Sequence, residues 1–168
     1  MIVLSKISKE DPYLCFKENF DNAISKNQNS IDAMVISSID LSENSVDSRF
    51  VNLKYIEGNK WYFFSNYNSL KAQQFKKNNN ISALIYWNKI NIQIRMKAKI
   101  EEASKEFSDK HWASRDLSKN ALAISSKQSK EIGSYDDIKH DYKNAFNRIS
   151  SETPRPDYWG GFYFIPYY

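Results

Sequence analysis

The sequence predicts a mainly β protein with α additions: an antiparallel, six-stranded barrel or sandwich with peripheral helices. Three observations carry this. The stretch INIQIRMKAKIEE (90–102) alternates, with Ile90, Ile92, Ile94, Met96, Ala98 and Ile100 on one side. Asn91, Gln93, Arg95, Lys97, Lys99 and Glu101 fall on the other, and period-2 alternation of this length is a half-buried antiparallel strand. Other short apolar or aromatic runs are set between turn signals. Helical spacing, apart from a short run begun by Leu70, Ala72 and Phe75, lies on the flanks of the strand-rich region.

The elements follow in order. Asp11-Pro12 is a helix start, with a capping side chain and proline in the first turn. Tyr13, Phe16, Phe20 and Ile24 then recur at helical spacing, placing a helix over about 11–28. A barrel region over about 33–102 comes next. AMVISS (33–38) reads as a buried strand and RFVNLKY (49–55) alternates, Phe50 and Asn52 facing away from Val51, Leu53 and Tyr55. Glu57-Gly58-Asn59 turns a hairpin into Trp61–Phe64. Leu70, Ala72 and Phe75 begin a short helix, and ISALIYW (81–87) is the strand before the long alternating one. A helical segment covers about 105–150. Within it Glu106–Arg115 is one helix, and Ser134 with Asp137 opens another whose stripe is Ile138, Tyr142, Phe146 and Ile149. Pro154-Arg155-Pro156 ends it, and an aromatic strand runs over about 159–167. Residues 1–168 are read as one domain.

Composition removes several classes. Hydrophobic residues make up 41% and aromatic residues 15%, enough for a core. The net charge of +4 has no basic run or arginine stripe, which disfavours nucleic acid as a partner and suits an anionic small ligand. Cys15 is the sole cysteine and is expected as a small buried apolar residue. With only His111 and His140 there is no histidine-rich metal centre, so no metal ligand is assigned. No signal-peptide core or membrane-spanning run is present, so a cytoplasmic location is expected.

One stretch invites chemistry. In FSNYNSLKAQQF (64–75) a strand stops in Ser65-Asn66-Tyr67-Asn68-Ser69, and Lys71 follows as a helix begins. A helix start offers free N–H groups and partial positive charge. Ser65, Asn68, Ser69 and Lys71 add donors and a full cation, the make-up of a phosphate cradle. Serine and asparagine are also ordinary caps, so the residues alone leave both readings open. Arg49, Lys54, Gln93 and Arg95 on the strands would suit a ligand that joins a phosphate to a hydrogen-bonding ring.

The order of these segments resembles the pyridoxamine 5'-phosphate oxidase family. The likeness is carried by DAMVISSID (32–40), SRFVNLK (48–54), WYFFSNYNSLKA (61–72), ISALIYW with INIQIRMKAKIEEAS, SKQS (126–129) and PRPDYWGGF (154–162). It implies an FMN-binding split β-barrel and a homodimer with shared active sites. It implies that Arg49, Phe50, Val51, Asn52, Leu53 and Lys54 line the flavin, with Phe64 and Ser65 at the flavin and phosphate region. Ser69 and Lys71 would grip the phosphate, Leu70 standing where the family has arginine. Gln93 would meet the ring, and Gln128 and Ser129 would come from the second subunit. Lys54, His111, Arg115 and Lys119 fall at substrate-phosphate positions, His111 in place of tyrosine and Lys119 in place of serine.

The implied activity is oxidation of pyridoxamine or pyridoxine 5'-phosphate to pyridoxal 5'-phosphate with release of hydrogen peroxide. No catalytic acid–base residue is identified. The family's E-F-W and R-L-H-D-R motifs do not follow WGGFYFIPYY, which leads us to expect weakened activity. The alternatives are an FMN split-barrel oxidoreductase acting on another small molecule, and a flavin- or pyridoxal-phosphate-binding protein without turnover.

Overall fold

The structure is a computed structural model and describes residues 2–126 and 128–168; Lys127 of the SKQS motif lies outside them. It contains eight strands and five helices, where the sequence predicts six strands. The strands are β1 (Val3–Ser5), β2 (Ala33–Asp40), β3 (Ser45–Asn52), β4 (Tyr55–Glu57), β5 (Lys60–Asn66), β6 (Asn80–Trp87), β7 (Ile92–Glu102) and β8 (Trp159–Pro166). The helices are α1 (Asp11–Ser25), α2 (Leu70–Lys77), α3 (Lys105–Ser114), α4 (Leu117–Ser125) and α5 (Tyr135–Arg148). All strands join one sheet in the order β1-β4-β5-β8-β7-β6-β2-β3. The two additional strands have three residues each. RFVNLKY divides at Leu53-Lys54 into β3 and β4, and β1 exists by pairing with β4, in parallel. Strands this short carry no periodicity of their own.

The chain forms two compact units. The first comprises 1–64, 74–101 and 162–168. Its register follows the alternation: β7 pairs with β6 antiparallel from Asn80↔Lys99 to Trp87↔Ile92, which buries Ala83, Ile85, Met96 and Ala98 on one face. β2 pairs antiparallel with both β6 and β3. Val51 and Leu53 are buried while Phe50 is 75% exposed, as the alternation in β3 requires. The β4–β5 hairpin turns at Gly58, whose φ of +60° lies where glycine has no steric penalty. α1 covers the core with Tyr13, Phe16, Phe20 and Ala23, and Phe16 meets Trp61 and Trp87 at ring separations of 4.6 and 5.6 Å.

Three expectations for α1 are corrected. Ile24 is exposed and Ala23 takes its place, because the buried stripe drifts by one position over three turns. Cys15 is exposed, being one residue and about 100° off that stripe. The helix also starts one residue early: Glu10 is its N-cap and makes no side-chain cap bond, so Asp11 is not the cap.

The second unit comprises 65–73 and 102–161. Ser104 caps α3 by accepting from Phe107 N–H, and Asp116 caps α4, a helix without a strong sequence signal, by accepting from Ser118 N–H. Ser134 caps α5 as predicted, accepting from Asp137 N–H at 3.1 Å. The predicted stripe of α5 is not buried: Ile138, Tyr142 and Ile149 are half-exposed and Phe146 is exposed. Trp112 and Trp159 pack edge to face at 5.1 Å, and Trp112 Nε1 donates to the Thr153 carbonyl at 2.9 Å. No helix among the described residues is long and apolar enough to cross a membrane.

Candidate functional site: an anion cradle before α2 and the clusters around the predicted residues

Ser65 and Asn66 end β5, and Tyr67–Ser69 form the turn into α2. The turn is built locally: Asn66 Oδ1 accepts from Asn68 N–H at 2.7 Å and the Asn66 carbonyl accepts from Ser69 N–H at 3.1 Å. These bonds aim the segment's side chains back at the end of β5. Lys71 Nζ donates to Ser65 Oγ at 3.3 Å, although Lys71 is only 7% exposed. Gln128 Oε1 accepts from Ser65 Oγ at 3.2 Å and from Asn66 N–H at 3.3 Å. The Ser69 hydroxyl is fully buried and has no hydrogen-bond partner among the described residues. Leaving a hydroxyl buried and unpaired costs about 1–3 kcal/mol. A buried cation and two hydroxyls at a helix start fit a phosphate group.

A cavity of about 300 Å³ lined by Asn66, Asn68, Ile124, Gln128, Lys130 and Tyr158 adjoins this turn. A larger one, about 430 Å³, runs along α5 past Asp141, Asn144 and Arg148 and touches none of the predicted residues.

The same unit explains the W-G-G motif. Tyr67 Oη donates to the Gly161 carbonyl at 3.2 Å, and Tyr67 N–H donates to the Tyr158 carbonyl. A Cβ on Gly160 would lie 2.1 Å from Tyr67 Oη, so only glycine leaves the phenol its place. Burial pushes the Tyr67 hydroxyl above its usual range and keeps it protonated as a donor. Arg155 Nε binds Asp109 at 2.7 Å and its Nη1 reaches the Trp159 carbonyl, fixing the start of β8.

His111, Arg115 and Lys119 lie around the α3–α4 junction. The Arg115 guanidinium sits 4.7 Å from the Trp159 ring centre and donates to the Lys119 carbonyl at 2.9 Å and to Asn120 Oδ1 at 3.0 Å. Burial pulls the guanidinium below its usual range, with Asp116 partly offsetting this. The His111 ring stacks on Trp159 at 6.2 Å, and Lys119 is exposed.

In the first unit the predicted residues divide. Arg49 turns inward, donating to Ser38 Oγ at 2.6 Å, Gln74 Oε1 at 2.9 Å and the Ile36 carbonyl at 3.4 Å. Gln74 Nε2 in turn donates to Asp47 and Asp40. Lys54 Nζ pairs with Asp32 at 2.6 Å. Phe50, Asn52 and Gln93 are exposed, Phe64 is half-buried, and the Val51 and Leu53 side chains belong to the core. Leu70 is exposed beside Lys71, and Ser129 is exposed with φ +66°.

The structure thus brings Ser65, Ser69, Lys71 and Gln128 into one turn region. Gln128 reaches it from its own chain, whereas the resemblance implies a residue of a second subunit. Sequence reasoning did not single out Asp32, Ser38, Asn66 or Gln74. Asn66 stood in the polar run that prompted the reading. The other three partner residues 11–36 positions away, and nothing local marks such pairs.

The fold is shared with solved structures. The chain superposes with a TM-score of 0.85 on PhzG from Burkholderia lata 383 in complex with tetrahydrophenazine-1-carboxylic acid, at 20% identity, covering 92% of this chain and 76% of that one. It superposes at 0.71 on a pyridoxamine 5'-phosphate oxidase-related, FMN binding protein from Nostoc punctiforme PCC 73102, at 12% identity, covering 90% and 80%. The sequence is more specific than the fold. Residues 20–147 match the pyridoxamine 5'-phosphate oxidase family. The pyridoxine/pyridoxamine 5'-phosphate oxidase of Legionella pneumophila (strain Paris) is 37% identical over 169 residues, covering 97% of this chain and 76% of the relative. The chain belongs to the pyridoxamine 5'-phosphate oxidase family.

Proposed function

We propose that this protein is an FMN-dependent oxidase that converts pyridoxamine or pyridoxine 5'-phosphate to pyridoxal 5'-phosphate. The observation that carries the FMN reading is the Ser69 hydroxyl, buried and unpaired in the turn where Lys71 binds Ser65. Family membership and the FMN-binding relative of known structure support it. In this reading Ser65, Ser69 and Lys71 hold the FMN phosphate. Arg49, Phe50, Val51, Asn52, Leu53, Phe64 and Gln93 serve the flavin, Val51 and Leu53 only through main-chain groups because their side chains are core, and Arg49 only through its main chain or by yielding its bonds to Ser38 and Gln74. Gln128 and Ser129 complete the cofactor set, and Gln128 can do so only by yielding its bonds to Ser65 and Asn66. Leu70 supplies no charge to the phosphate, so Lys71 bears more of that task.

FMN, held by Ser65, Ser69 and Lys71, would supply the redox chemistry, a two-electron oxidation of the substrate at C4' coupled to reduction of dioxygen to hydrogen peroxide. The chain's own part is to bind and orient. Lys54, His111, Arg115 and Lys119 are the proposed substrate ligands. Arg115 is the best fixed of them, held over Trp159 by two bonds. A homodimer is part of the proposal. The exposed Phe50, Val46 and Tyr86 on β3 and β6 supply apolar surface that association would cover.

The test is the absorption spectrum of the purified protein, followed by peroxide release per flavin with pyridoxamine 5'-phosphate under air. Flavin bands with peroxide formed in proportion to substrate support the proposal. Protein that stays colourless after incubation with FMN contradicts it. A second reading, oxidation of another small molecule at the same flavin, draws on one observation: Lys54 already holds a carboxylate. Flavin-loaded protein that releases peroxide with other ring amines or alcohols, and none with pyridoxamine 5'-phosphate, would decide for it.

A further inference from the structure

The pair Asp32–Lys54 lies in the first unit and is built in by the main chain. Asp32 immediately precedes β2 and its carbonyl accepts from Leu53 N–H at 2.8 Å. The next residue along, Ala33, is in register with Asn52 of β3. The backbone is therefore fixed on both sides of the pair. On that frame the Asp32 carboxylate meets Lys54 Nζ at 2.6 Å, a charge-assisted bond of short length. Burial pushes the Asp32 carboxyl up, but the Lys54 ammonium outweighs it and holds the group below the usual carboxylate range. Asp32 is therefore ionised at neutral pH. The side chains keep 30% and 21% of their surface, so a ligand can reach both.

We propose that Asp32 is a specificity-determining residue: its carboxylate competes with a substrate phosphate for Lys54 and biases the site against phosphate monoesters, relative to the same substrate without phosphate. This rests on the reading of Lys54 as a substrate ligand given above. A lysine ammonium is a compact point charge with three donors. Paired with a carboxylate it has no net charge to offer a dianion. The incoming phosphate must displace Asp32 or stand beside it, and two like charges at hydrogen-bond range repel. A hydroxymethyl group carries no charge. It donates to Asp32 or accepts from Lys54 without breaking the pair. Because the pair is partly solvated, the bias is moderate, on the order of tenfold.

The experiment uses the protein loaded with FMN. Wild type, Asp32→Asn, Lys54→Gln and the double variant are titrated with pyridoxal 5'-phosphate and with pyridoxal. Dissociation constants are read by calorimetry and by the change in flavin absorbance. Asp32→Asn is expected to tighten pyridoxal 5'-phosphate by about tenfold and pyridoxal by less than about twofold, and the gain disappears on the Lys54→Gln background. Asp32→Ser, which removes the charge with a smaller side chain, carries the same expectation if the asparagine variant does not fold. An unchanged ratio of the two affinities, or a gain that persists without Lys54, overturns the inference and leaves the substrate reading standing. If neither ligand binds the wild type or any variant while FMN remains bound, the substrate reading fails and the inference falls with it.

Discussion

Two buried polar clusters, one in each unit, are built from similar groups and end differently. In the first unit Arg49, Ser38, Gln74, Asp40 and Asp47 bond to one another, and Asp40 also accepts from Ser42 and Glu43 N–H. In the second, Ser65 and Lys71 are bonded but the Ser69 hydroxyl is not. A closed cluster repays its own desolvation and fixes the fold. An open one has a buried group whose pairing a ligand can supply, and the gain then appears as affinity. Both contain a basic side chain held among polar partners, half-buried for Arg49 and buried for Lys71, so charge alone does not tell an open cluster from a closed one. The unpaired Ser69 hydroxyl separates these two clusters, although a buried Trp61 Nε1 in the first unit is also unpaired among the described residues.

The contrast can be broken from either side. The largest effect is expected at Arg49. Arg49→Leu removes the donor to Ser38 Oγ and one of the two donors to Gln74 Oε1, and leaves Asp47 without its cation, so it should destabilise the protein by about 2–4 kcal/mol, read by urea denaturation. A loss below about 1 kcal/mol would mean that the cluster is not closed as described. Gly160→Ala comes next. Its Cβ meets the Tyr67 phenol, backed by the Gly161 carbonyl, and a cost of about 2–3 kcal/mol is expected in the same assay. Gly160→Ala combined with Tyr67→Phe should recover part of that loss, since it removes the clashing oxygen.

The first cluster also has a pH signature. Hydrogen bonds from Ser42 and then Gln74 hold the Asp40 carboxyl down to about 2. A depressed carboxyl contributes stability that is fully present above its unfolded value of about 4 and is lost as pH falls toward 2. Thermal unfolding should therefore weaken over that window and show no Asp40 contribution to pH dependence between 5 and 8. Asp40→Asn should flatten the acid limb; an unchanged limb places the acid sensitivity elsewhere. The smallest effect belongs to the open cluster. Ser69→Ala removes an unpaired hydroxyl and should stabilise the ligand-free protein by about 1 kcal/mol while weakening FMN. The opposing signs in two assays are the mark of an open site.

Much of the fold was legible. The alternation of 90–102, of which Ile92–Glu102 is strand, the Gly58 hairpin and the Ser134 cap are local signals, and local rules decide them. What escaped depended on partners. β1 and β4 exist only because each has a neighbour. Cys15 is exposed because the buried face of α1 is set by Phe16 and Phe20 against Trp61 and Trp87. Phe146 looked like core because its spacing is helical, yet no residue of α5 is buried. The site divides in the same way. The donors Ser65, Ser69 and Lys71 stand within seven residues and their chemistry is visible in the sequence. The acceptors that occupy Arg49 and Lys54, namely Gln74 and Asp32, are 25 and 22 residues distant and were invisible.

In the proposed function the turn before α2 holds a phosphate. The direct measurement is the affinity of wild type and Lys71→Ala for FMN and for riboflavin, which differ only by that phosphate. Wild type should bind FMN more tightly than riboflavin. Lys71→Ala should lose about 1.5–3 kcal/mol toward FMN, roughly ten- to a hundredfold, and almost nothing toward riboflavin. Equal losses for both ligands, or an FMN preference that survives the substitution intact, would contradict the claim.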